Sequence, residues 1–313
     1  MPDLPLVTVI TPSFNQADFL EETIQSVLSQ DYPNLEYFIF DGGSTDGSVD
    51  IIQKYSHRLA GWVSEKDKGQ AEAINKGFAR AAGSVVAWIN SDDYYLPGAI
   101  SAAVAALEAS PTAALVFGDV VSVDAASKIF NVMTYGPWGL DELLQFNIIG
   151  QPGVFMRRAA LERAGYLDSS YHFMLDHHLW LRIAQQAPLI YVPQRWAAAR
   201  YHAAAKNVSQ APGFAREAYR IVDWMPSQPG LAQHYQRLRR RIWAGAHRIN
   251  GHYLLDAGQP GPALKAYIKG LWSSPAVILP EYRRILFAVA SLFINVNRLR
   301  AAYLERRRRN YAR

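Results

Sequence analysis

Short apolar runs alternate with segments of helical periodicity over about the first 200 residues. The first run, VTVIT (7–11), precedes a segment in which apolar residues recur at helical spacing after Asp18, the predicted N-cap. Such alternation is typical of βαβ units around a mainly parallel sheet. Further helices are predicted to start near Gln70 and at Pro97. The other predicted strands are EYFIFD (36–41), WVS (62–64), VVAWIN (85–90), ALVFGD (114–119), IFNVM (129–133) and LIYV (189–192).

From about residue 203 the pattern becomes helical. The stretch YLLDAGQPGPALKAYIKGLW resembles one helix pair of a tetratricopeptide array, but such arrays need several stacked pairs to bury their faces. We therefore expect an α/β domain over residues 1–205 and an α-helical C-terminal region, rather than a repeat array, over residues 206–313.

The formal net charge of +5 is unevenly distributed. Residues 1–202 hold 13 Lys and Arg against 22 Asp and Glu, while residues 203–313 hold 19 against 5. Clustered carboxylates in an acidic unit fit cation binding, and a basic unit fits a phosphate-rich surface such as anionic lipid. Nucleic acid is the weaker interpretation, because no recognition module accompanies the charge.

The chain has no cysteine, which excludes disulfides, thiolate metal sites and cysteine nucleophiles. The first ten residues, MPDLPLVTVI, lack the basic start and the apolar run of a signal peptide. Together these features predict a cytoplasmic protein.

The ends of the first two predicted strands carry polar and glycine-rich turns. Ligands of open α/β sheets lie beyond the carboxyl ends of the strands, so residues 12–15 and 41–44 are expected to form neighbouring walls of one crevice. Asp41 is placed to accept a hydrogen bond from a base or ribose, or else serves as a turn residue before Gly42 and Gly43. The fingerprint G-x-G-x-x-G is absent from this crossover, which argues against a nicotinamide or flavin enzyme.

Asp92 and Asp93 follow the buried strand VVAWIN. Adjacent carboxylates at a strand end favour a hard divalent cation such as Mg²⁺ or Mn²⁺, which prefers oxygen ligands and donor phosphates. The pair therefore predicts a metal–diphosphate site, and the alternative is a solvated turn before the next helix.

Asp176 begins a predicted helix and is the candidate base for an acceptor hydroxyl, the alternative being a helix N-cap. The adjacent His177 and His178 point about 100° apart on a helix and cannot chelate one ion together. His202 lies just beyond the last predicted strand and is a better candidate site residue, with Arg200 and Lys206 able to assist, and a structural histidine is the alternative.

Four motifs in order resemble family 2 glycosyltransferases of the GT-A fold: Pro12-Ser13-Phe14-Asn15, Asp41-Gly42-Gly43-Ser44-Thr45-Asp46-Gly47, Asp67-Lys68-Gly69 and Asn90-Ser91-Asp92-Asp93. The resemblance implies a Rossmann-like mixed sheet flanked by helices, with Asp41 reading the base and Asp67 beside it. It also implies that Asp92 binds the metal, and it supports Asp176 as the base of an inverting transfer.

Asn90 departs from the pattern by replacing a common Asp, and Leu175 stands where Glu is common. The predicted donor-binding residues are Pro12, Ser13, Asn15, Asp41, Gly43, Asp67, Lys68, Asn90, Ser91, Asp92 and Arg200, and the predicted metal ligands are Asp92, Asp93 and His202.

The predicted activity is metal-dependent transfer of a sugar from a nucleotide-sugar donor to a saccharide or lipid-linked acceptor, in cell-envelope polysaccharide or glycoconjugate synthesis. Two alternatives stay open. One is an inactive nucleotide-binding scaffold of the same fold, and the other is a sugar nucleotidyltransferase, which would release pyrophosphate.

The segment ILFAVASLFINV (285–296) is apolar but has only 12 residues, short of the roughly 20 that span a bilayer. Basic residues flank it, which predicts an interfacial helix at an anionic membrane surface. The alternative is a buried core helix with a solvated basic tail. The flanking residues are Arg283, Arg284, Arg298, Arg300 and Arg306 to Arg309.

Overall fold

The computed structural model describes residues 4–202 and 210–293. The chain forms two compact units, and the first consists of the segments Met1–Val123, Val132–Trp138 and Ile149–Arg200. The second unit contains the chain from Tyr201 onward together with the segments Asp124–Asn131 and Gly139–Ile148. The predicted boundary at residue 205, Lys206 and the basic residues from Arg298 onward lie outside the described residues.

The chain forms a nine-stranded mixed sheet, with strand order β3-β2-β1-β4-β8-β6-β9-β5 and β7 paired to β6. β1 pairs in parallel with β2 and β4, and β2 pairs in parallel with β3. β4–β8, β6–β8 and β5–β9 are antiparallel. The strands are β1 (Val7–Ser13), β2 (Leu35–Asp41), β3 (Gly61–Ser64), β4 (Val85–Trp88), β5 (Tyr94–Tyr95), β6 (Leu115–Asp124), β7 (Ile129–Met133), β8 (Val154–Arg157) and β9 (Leu189–Tyr201).

Helices follow the strands as the periodicity predicts, with small differences at their starts. The first helix begins at Ala17 rather than after Asp18, because Asp46 from another loop accepts a hydrogen bond of 2.9 Å from the Ala17 amide. The fourth begins at Ala99, two residues after Pro97. The helices of this part of the chain are α1 (Ala17–Leu28), α2 (Ser48–Tyr55), α3 (Gln70–Arg80), α4 (Ala99–Ala109), α5 (Leu140–Leu144), α6 (Arg158–Ala164) and α7 (Leu175–Ala184).

The core of the first unit lies on both faces of the parallel strands. All residues of β1 and β4 are buried, as continuous apolar runs predict for strands covered on both sides. Gly77 of α3 lies so close to β1 that a Cβ there would be 2.6 Å from the Ile10 side chain. This close approach seats α3 on the sheet, with its first residue, Gln70, at the strands' carboxyl ends.

The second unit is mainly helical, as predicted. Its longest helix, α9, packs against α8 and α10. Its core consists of Ala244, Leu255, Ala263, Tyr267, Ile278 and Ala288. None of the helices in the described part of the chain is both apolar enough and long enough to cross a membrane. The helices are α8 (Ala211–Trp224), α9 (Ala232–Asp256), α10 (Pro260–Ser273), α11 (Pro275–Ile278) and α12 (Tyr282–Ala290).

Candidate functional site

The turn after β2 lies beside the end of β1, as expected from the parallel sheet. Ser13 and Asp41 are register partners, and the Gly42 amide donates a hydrogen bond of 2.8 Å to the Ser13 carbonyl. Ser13 Oγ is buried and without a hydrogen-bond partner. The Asp41 carboxylate is buried and accepts hydrogen bonds from the Gly43 and Ser44 amides and from the hydroxyls of Ser44 and Ser64. This is the geometry of a turn-forming Asp, and its contact with a base stays a prediction.

The same turn is bonded to the loop that follows β1. The Asn15 amide donates to Ser44 Oγ at 2.8 Å, and Asn15 Oδ1 accepts from the Thr45 amide at 2.9 Å. Burial raises the pKa of Asp46, but hydrogen bonds from the amides of Ala17 and Ser48 and from the Ser48 hydroxyl outweigh it and lower that pKa. The two predicted walls of the crevice therefore form one hydrogen-bonded structure.

Phe14 lies beside the turn after β2; it belongs to one of the quoted motifs but is not among the predicted donor-binding residues. Its side chain is 60% exposed, and its ring lies 3.3 Å from the position that a Cβ on Gly42 would occupy. Asp67 Oδ2 lies 3.1 Å from the same position. Asp67 Oδ1 accepts a hydrogen bond of 2.7 Å from the Gly69 amide, while Lys68 is exposed. Phe14 and Asp67 thus flank Gly42, where only glycine fits without displacing either neighbour.

The predicted metal segment follows β4, and its two carboxylates differ in environment. Asp93 is buried, Oδ1 accepting from the Arg200 amide at 2.9 Å and Oδ2 from Asn90 Nδ2 at 3.2 Å. Burial, and after it the neighbouring Asp92 charge, raise the pKa of Asp93 well above its ordinary value. Both oxygens of Asp93 thus have a protein donor, and its role as a metal ligand stays a prediction. Asp92 is only half-buried.

Arg200 is hydrogen-bonded to the segment that contains Asp92 and Asp93. Its side chain is 1% exposed and donates to the Asp92 carbonyl at 2.9 Å and to Glu22 Oε2 at 2.5 Å. The guanidinium lies between the rings of Phe19 and Tyr94, 4.8 and 5.5 Å from their centroids. The guanidinium is therefore buried and bonded within the protein, and the direct contact of Arg200 with a donor stays a prediction.

Asn90, the departure from the family pattern, is part of the same support. Its Oδ1 accepts a hydrogen bond of 2.6 Å from Gln70 Nε2, and its Nδ2 donates to Asp93. An amide can both accept and donate, whereas an ionised carboxylate only accepts, so Asn is the better partner here.

No three His, Cys, Asp or Glu side chains form a ready metal site within residues 4–202 and 210–293. A Mg²⁺ or Mn²⁺ ion nevertheless fits Asp92, since such ions are held by one or two carboxylates and complete their shell with substrate phosphates and water. Asp92 provides the partly exposed hard oxygen ligands that this mode of binding needs.

Asp176 lies in the first turn of α7, whose N-cap is Met174, so the N-cap alternative for Asp176 is wrong. Its Oδ1 accepts a hydrogen bond of 2.7 Å from the His177 amide. Trp180, on the same helix face as Asp176, stacks on Trp88 with ring centroids 5.3 Å apart. Trp88 is the last residue of β4, so this stack fixes the Asp176 face of α7 against the strand that leads into Asp92.

Gln151 is a second residue that the sequence analysis missed. It is buried and donates a hydrogen bond of 2.7 Å from Nε2 to the Trp88 carbonyl. Its Oε1 is buried without a hydrogen-bond partner. No sequence signal marked Gln151, because a single Gln before Pro152 has no periodic or motif context.

The histidines that the sequence analysis considered lie on α7 and directly after β9. His177 and His178 are buried within α7, and the His178 ring stacks on Tyr171 at 4.2 Å. His202 comes directly after β9 and belongs to the second compact unit. Its predicted role as a metal ligand stays a prediction.

The sequence comparisons agree with the motifs. The family model described as Glycosyl transferase family 2 matches residues 8–162. The chain is 47% identical over 92 residues to TuaG of Bacillus subtilis (strain 168), whose name assigns it to teichuronic acid biosynthesis as a glycosyltransferase. This match covers 28% of the chain and only 36% of the Bacillus protein.

Solved structures share the fold at low sequence identity. S. aureus TarS 1-349 in complex with UDP superposes with a TM-score of 0.56 and 16% identity, covering 89% of this chain and 91% of that chain. The mannosyltransferase PcManGT from Pyrobaculum calidifontis, in complex with GDP-Man and Mn²⁺, gives a TM-score of 0.60 and 22% identity, covering 98% and 86%. The predicted GT-A-like fold, with its mixed sheet, flanking helices and helical C-terminal region, is confirmed.

Proposed function

Since residues 8–162 of this chain belong to glycosyl transferase family 2, we propose that it is a metal-dependent, inverting glycosyltransferase of the hexosyltransferase type. The donor is UDP-sugar or another nucleotide-sugar, and the acceptor is a saccharide or lipid-linked saccharide of the cell envelope. The observation that carries the proposal is the placement of Asp92, which is half-buried and lies at the carboxyl end of β4. Hydrogen bonds from Arg200, Asn90 and Thr23 hold the Asp92–Asp93 segment in place.

The nucleoside is proposed to bind against the turn after β2. The exposed ring of Phe14 offers a flat apolar face for a base, and Asp67 offers a hydrogen-bond acceptor beside it. Asp41 keeps the turn in shape through its four hydrogen bonds. The backbone of the nucleoside-binding wall is formed by four of the predicted donor-binding residues, Pro12, Ser13, Asn15 and Gly43. Ser91 belongs to the neighbouring segment that bears Asp92.

The diphosphate is proposed to lie at Asp92, which would hold Mg²⁺ or Mn²⁺. When bound, the ion would neutralise negative charge on the departing nucleoside diphosphate. The Mn²⁺ complex of the Pyrobaculum mannosyltransferase supports a divalent ion in this fold. Asp93 and Arg200 act by positioning Asp92, since their own polar atoms are engaged within the protein.

Transfer is proposed to proceed by a single displacement. Asp176 takes the proton of the acceptor hydroxyl while the hydroxyl oxygen bonds to the anomeric carbon of the donor sugar. The bond between that carbon and the phosphate oxygen breaks at the same time. The nucleoside diphosphate leaves with the bonding electrons, and the configuration at the anomeric carbon is inverted. The Trp88–Trp180 stack supports this role, because it fixes the face of α7 that bears Asp176.

We propose that the reaction takes place in the cytoplasm, where nucleotide-sugars are available, on material destined for the cell envelope. The name of the Bacillus relative supports an envelope polymer. The attachment to the membrane that the sequence predicts depends on a different surface, in the second unit.

A turnover assay tests this function. The chain is incubated with Mn²⁺, a panel of nucleotide-sugars and a mixture of envelope saccharide and lipid-linked acceptors, and released nucleoside diphosphate is measured. We expect acceptor-dependent release with one donor, and a product of inverted anomeric configuration by proton NMR. An inactive scaffold would bind nucleotide without release. A nucleotidyltransferase would instead release pyrophosphate from sugar phosphate and nucleoside triphosphate.

A further inference from the structure

One face of α12 and its flanking turns exposes large apolar side chains. Leu286 and Phe293 are 64% and 83% exposed, and Leu279, Tyr282 and Val289 are exposed as well. These five residues, called here the apolar stripe, follow one another at spacings of three and four positions. The three within α12, Tyr282, Leu286 and Val289, therefore lie along one side of that helix. Exposed apolar residues scattered singly are ordinary, but a contiguous row marks an interaction surface.

The opposite face of α12 holds the helix in place. Ala288 is fully buried in the core of the second unit, and Ile285 and Phe287 pack against that core. The apolar stripe is therefore not needed to fix α12 on the protein. Its side chains are available to a partner.

Positive charge accompanies this surface. Arg283 lies on α12, and Lys265 and Lys269 are exposed on α10, which packs against α12. Arg284 also lies on α12 but forms an ion pair of 3.3 Å with Asp256 of α9. Residues 260–293 contain a single acidic residue, Glu281, whose side chain is largely covered and lies 2.9 Å from His252 Nε2.

The neighbouring helix α10 also exposes large apolar side chains beside its lysines. Its Ile268 is exposed, and its Trp272 is 80% exposed. Tryptophan has an apolar ring and one polar N–H, a combination enriched where one side of a side chain meets hydrocarbon and the other meets water.

We infer that the apolar stripe and its basic neighbours dock the protein on an anionic lipid bilayer. The apolar side chains would enter the boundary between headgroups and acyl chains, while Arg283, Lys265 and Lys269 would meet anionic headgroups. Charge distinguishes this partner from a second copy of the chain. In a symmetric dimer through the stripe, the same cations would face each other and repel.

This docking surface goes beyond the proposed transfer reaction and lies wholly in the second unit. The donor site and the docking surface can therefore fail independently. A protein that binds vesicles but no nucleotide would refute the proposed function alone, and the reverse result would refute the docking surface alone.

Vesicle flotation of the full chain tests the inference. We expect the protein to float with vesicles of phosphatidylcholine and phosphatidylglycerol, and to stay behind with vesicles of phosphatidylcholine alone. Leu286→Asp should weaken partition at least about tenfold, because a leucine contact with hydrocarbon is lost. Arg283→Gln should weaken it about fivefold. The matched control is Leu4→Asp, the same substitution at an exposed leucine of the first unit, which should change nothing.

Melting temperature and nucleotide binding are measured for each variant. Leu286→Asp should keep the wild-type values of both, since Leu286 is exposed, and Val289→Asp serves as a second stripe variant if Leu286→Asp does not fold. Equal binding to both kinds of vesicle, or unchanged flotation of a folded stripe variant, would overturn the inference. A concentration-dependent dimer in sedimentation equilibrium that Leu286→Asp abolishes would overturn it in favour of a second copy.

Discussion

The backbone amide of Arg200 donates a hydrogen bond of 2.9 Å to Oδ1 of the buried Asp93. The same arginine donates through its side chain to the Asp92 carbonyl and to Glu22. Residues that are far apart in sequence thus meet behind Asp92. In the proposed site, Asp93 and Arg200 position Asp92, which is the half-buried member of the pair.

Arg200→Lys keeps the positive charge but removes the planar guanidinium. That group donates hydrogen bonds to the Asp92 carbonyl and to Glu22, and it also lies against aromatic rings. Charge-assisted hydrogen bonds contribute about 1.5–3 kcal/mol each, so we expect the free energy of unfolding to fall by about that amount. A positioning role also predicts that more Mn²⁺ is needed for half-maximal turnover. The matched control is Arg195→Lys, on the exposed part of β9, which should shift neither quantity. An unchanged Mn²⁺ requirement in Arg200→Lys would leave Arg200 only a structural role.

Gly42→Ala tests the contact between the two walls of the crevice. The new Cβ would lie 3.1 Å from Asp67 Oδ2 and 3.3 Å from the Phe14 ring, so both side chains must move. We expect the dissociation constant for nucleoside diphosphate to rise about tenfold, with a small change in melting temperature. Gly139→Ala is the control, because the nearest atom there, Glu142 Oε2, is 3.8 Å from the new Cβ. Nucleotide affinity equal to that of the wild type would place the nucleoside elsewhere.

Asp176→Asn removes the proposed base without removing a polar side chain from α7. Loss of a general base lowers kcat by about 10²–10⁴-fold, and we expect the affinity for nucleoside diphosphate to be unchanged. Steady-state turnover and nucleotide titration measure the two quantities. Asp50→Asn, in the exposed first turn of α2, is the control and should leave both unchanged. Wild-type turnover in Asp176→Asn would exclude Asp176 as the base.

The second unit should lose stability as the solution becomes acidic. Burial lowers the pKa of both His247 and His252 below the ordinary value of 6.5. A histidine with a lowered pKa takes up its proton more readily in the unfolded chain, so its contribution is present above pH 6.5 and is lost as the pH falls below it. We expect the melting temperature to fall between about pH 7 and about pH 5.5, and to fall less in His247→Gln. A melting temperature that rises on acidification would contradict this.

Much of the first unit could be predicted because its signals are local. The buried strands β1 and β4 are continuous apolar runs, and the turn at Asp41 is marked by its glycines. The start of α1 could not be placed exactly, because its first amide is capped by Asp46 from a distant loop rather than by a neighbouring residue.

The different environments of Asp92 and Asp93 could not be predicted, because they depend on contacts with residues that are distant in sequence. The sequence presents Asp92 and Asp93 as an equivalent pair, whereas in the structure Asp93 is buried and accepts a hydrogen bond from the Arg200 amide, 107 positions further along the chain, and Asp92 is half-buried. Gln151 was missed for the same reason, as its bond to the Trp88 carbonyl spans 63 positions. The resemblance to family 2 glycosyltransferases predicts the positions of the candidate site but not these supports.

The most direct test of the central claim, that Asp92 with a divalent ion binds the donor diphosphate, is calorimetric titration with nucleoside diphosphates in the presence and absence of Mn²⁺. For the wild type we predict that UDP, GDP or another nucleoside diphosphate binds at least about tenfold more tightly with Mn²⁺, and that Asp92→Asn abolishes this gain while keeping its melting temperature. Binding that is indifferent to Mn²⁺ in the wild type, or a full Mn²⁺ gain retained in Asp92→Asn, would contradict the claim.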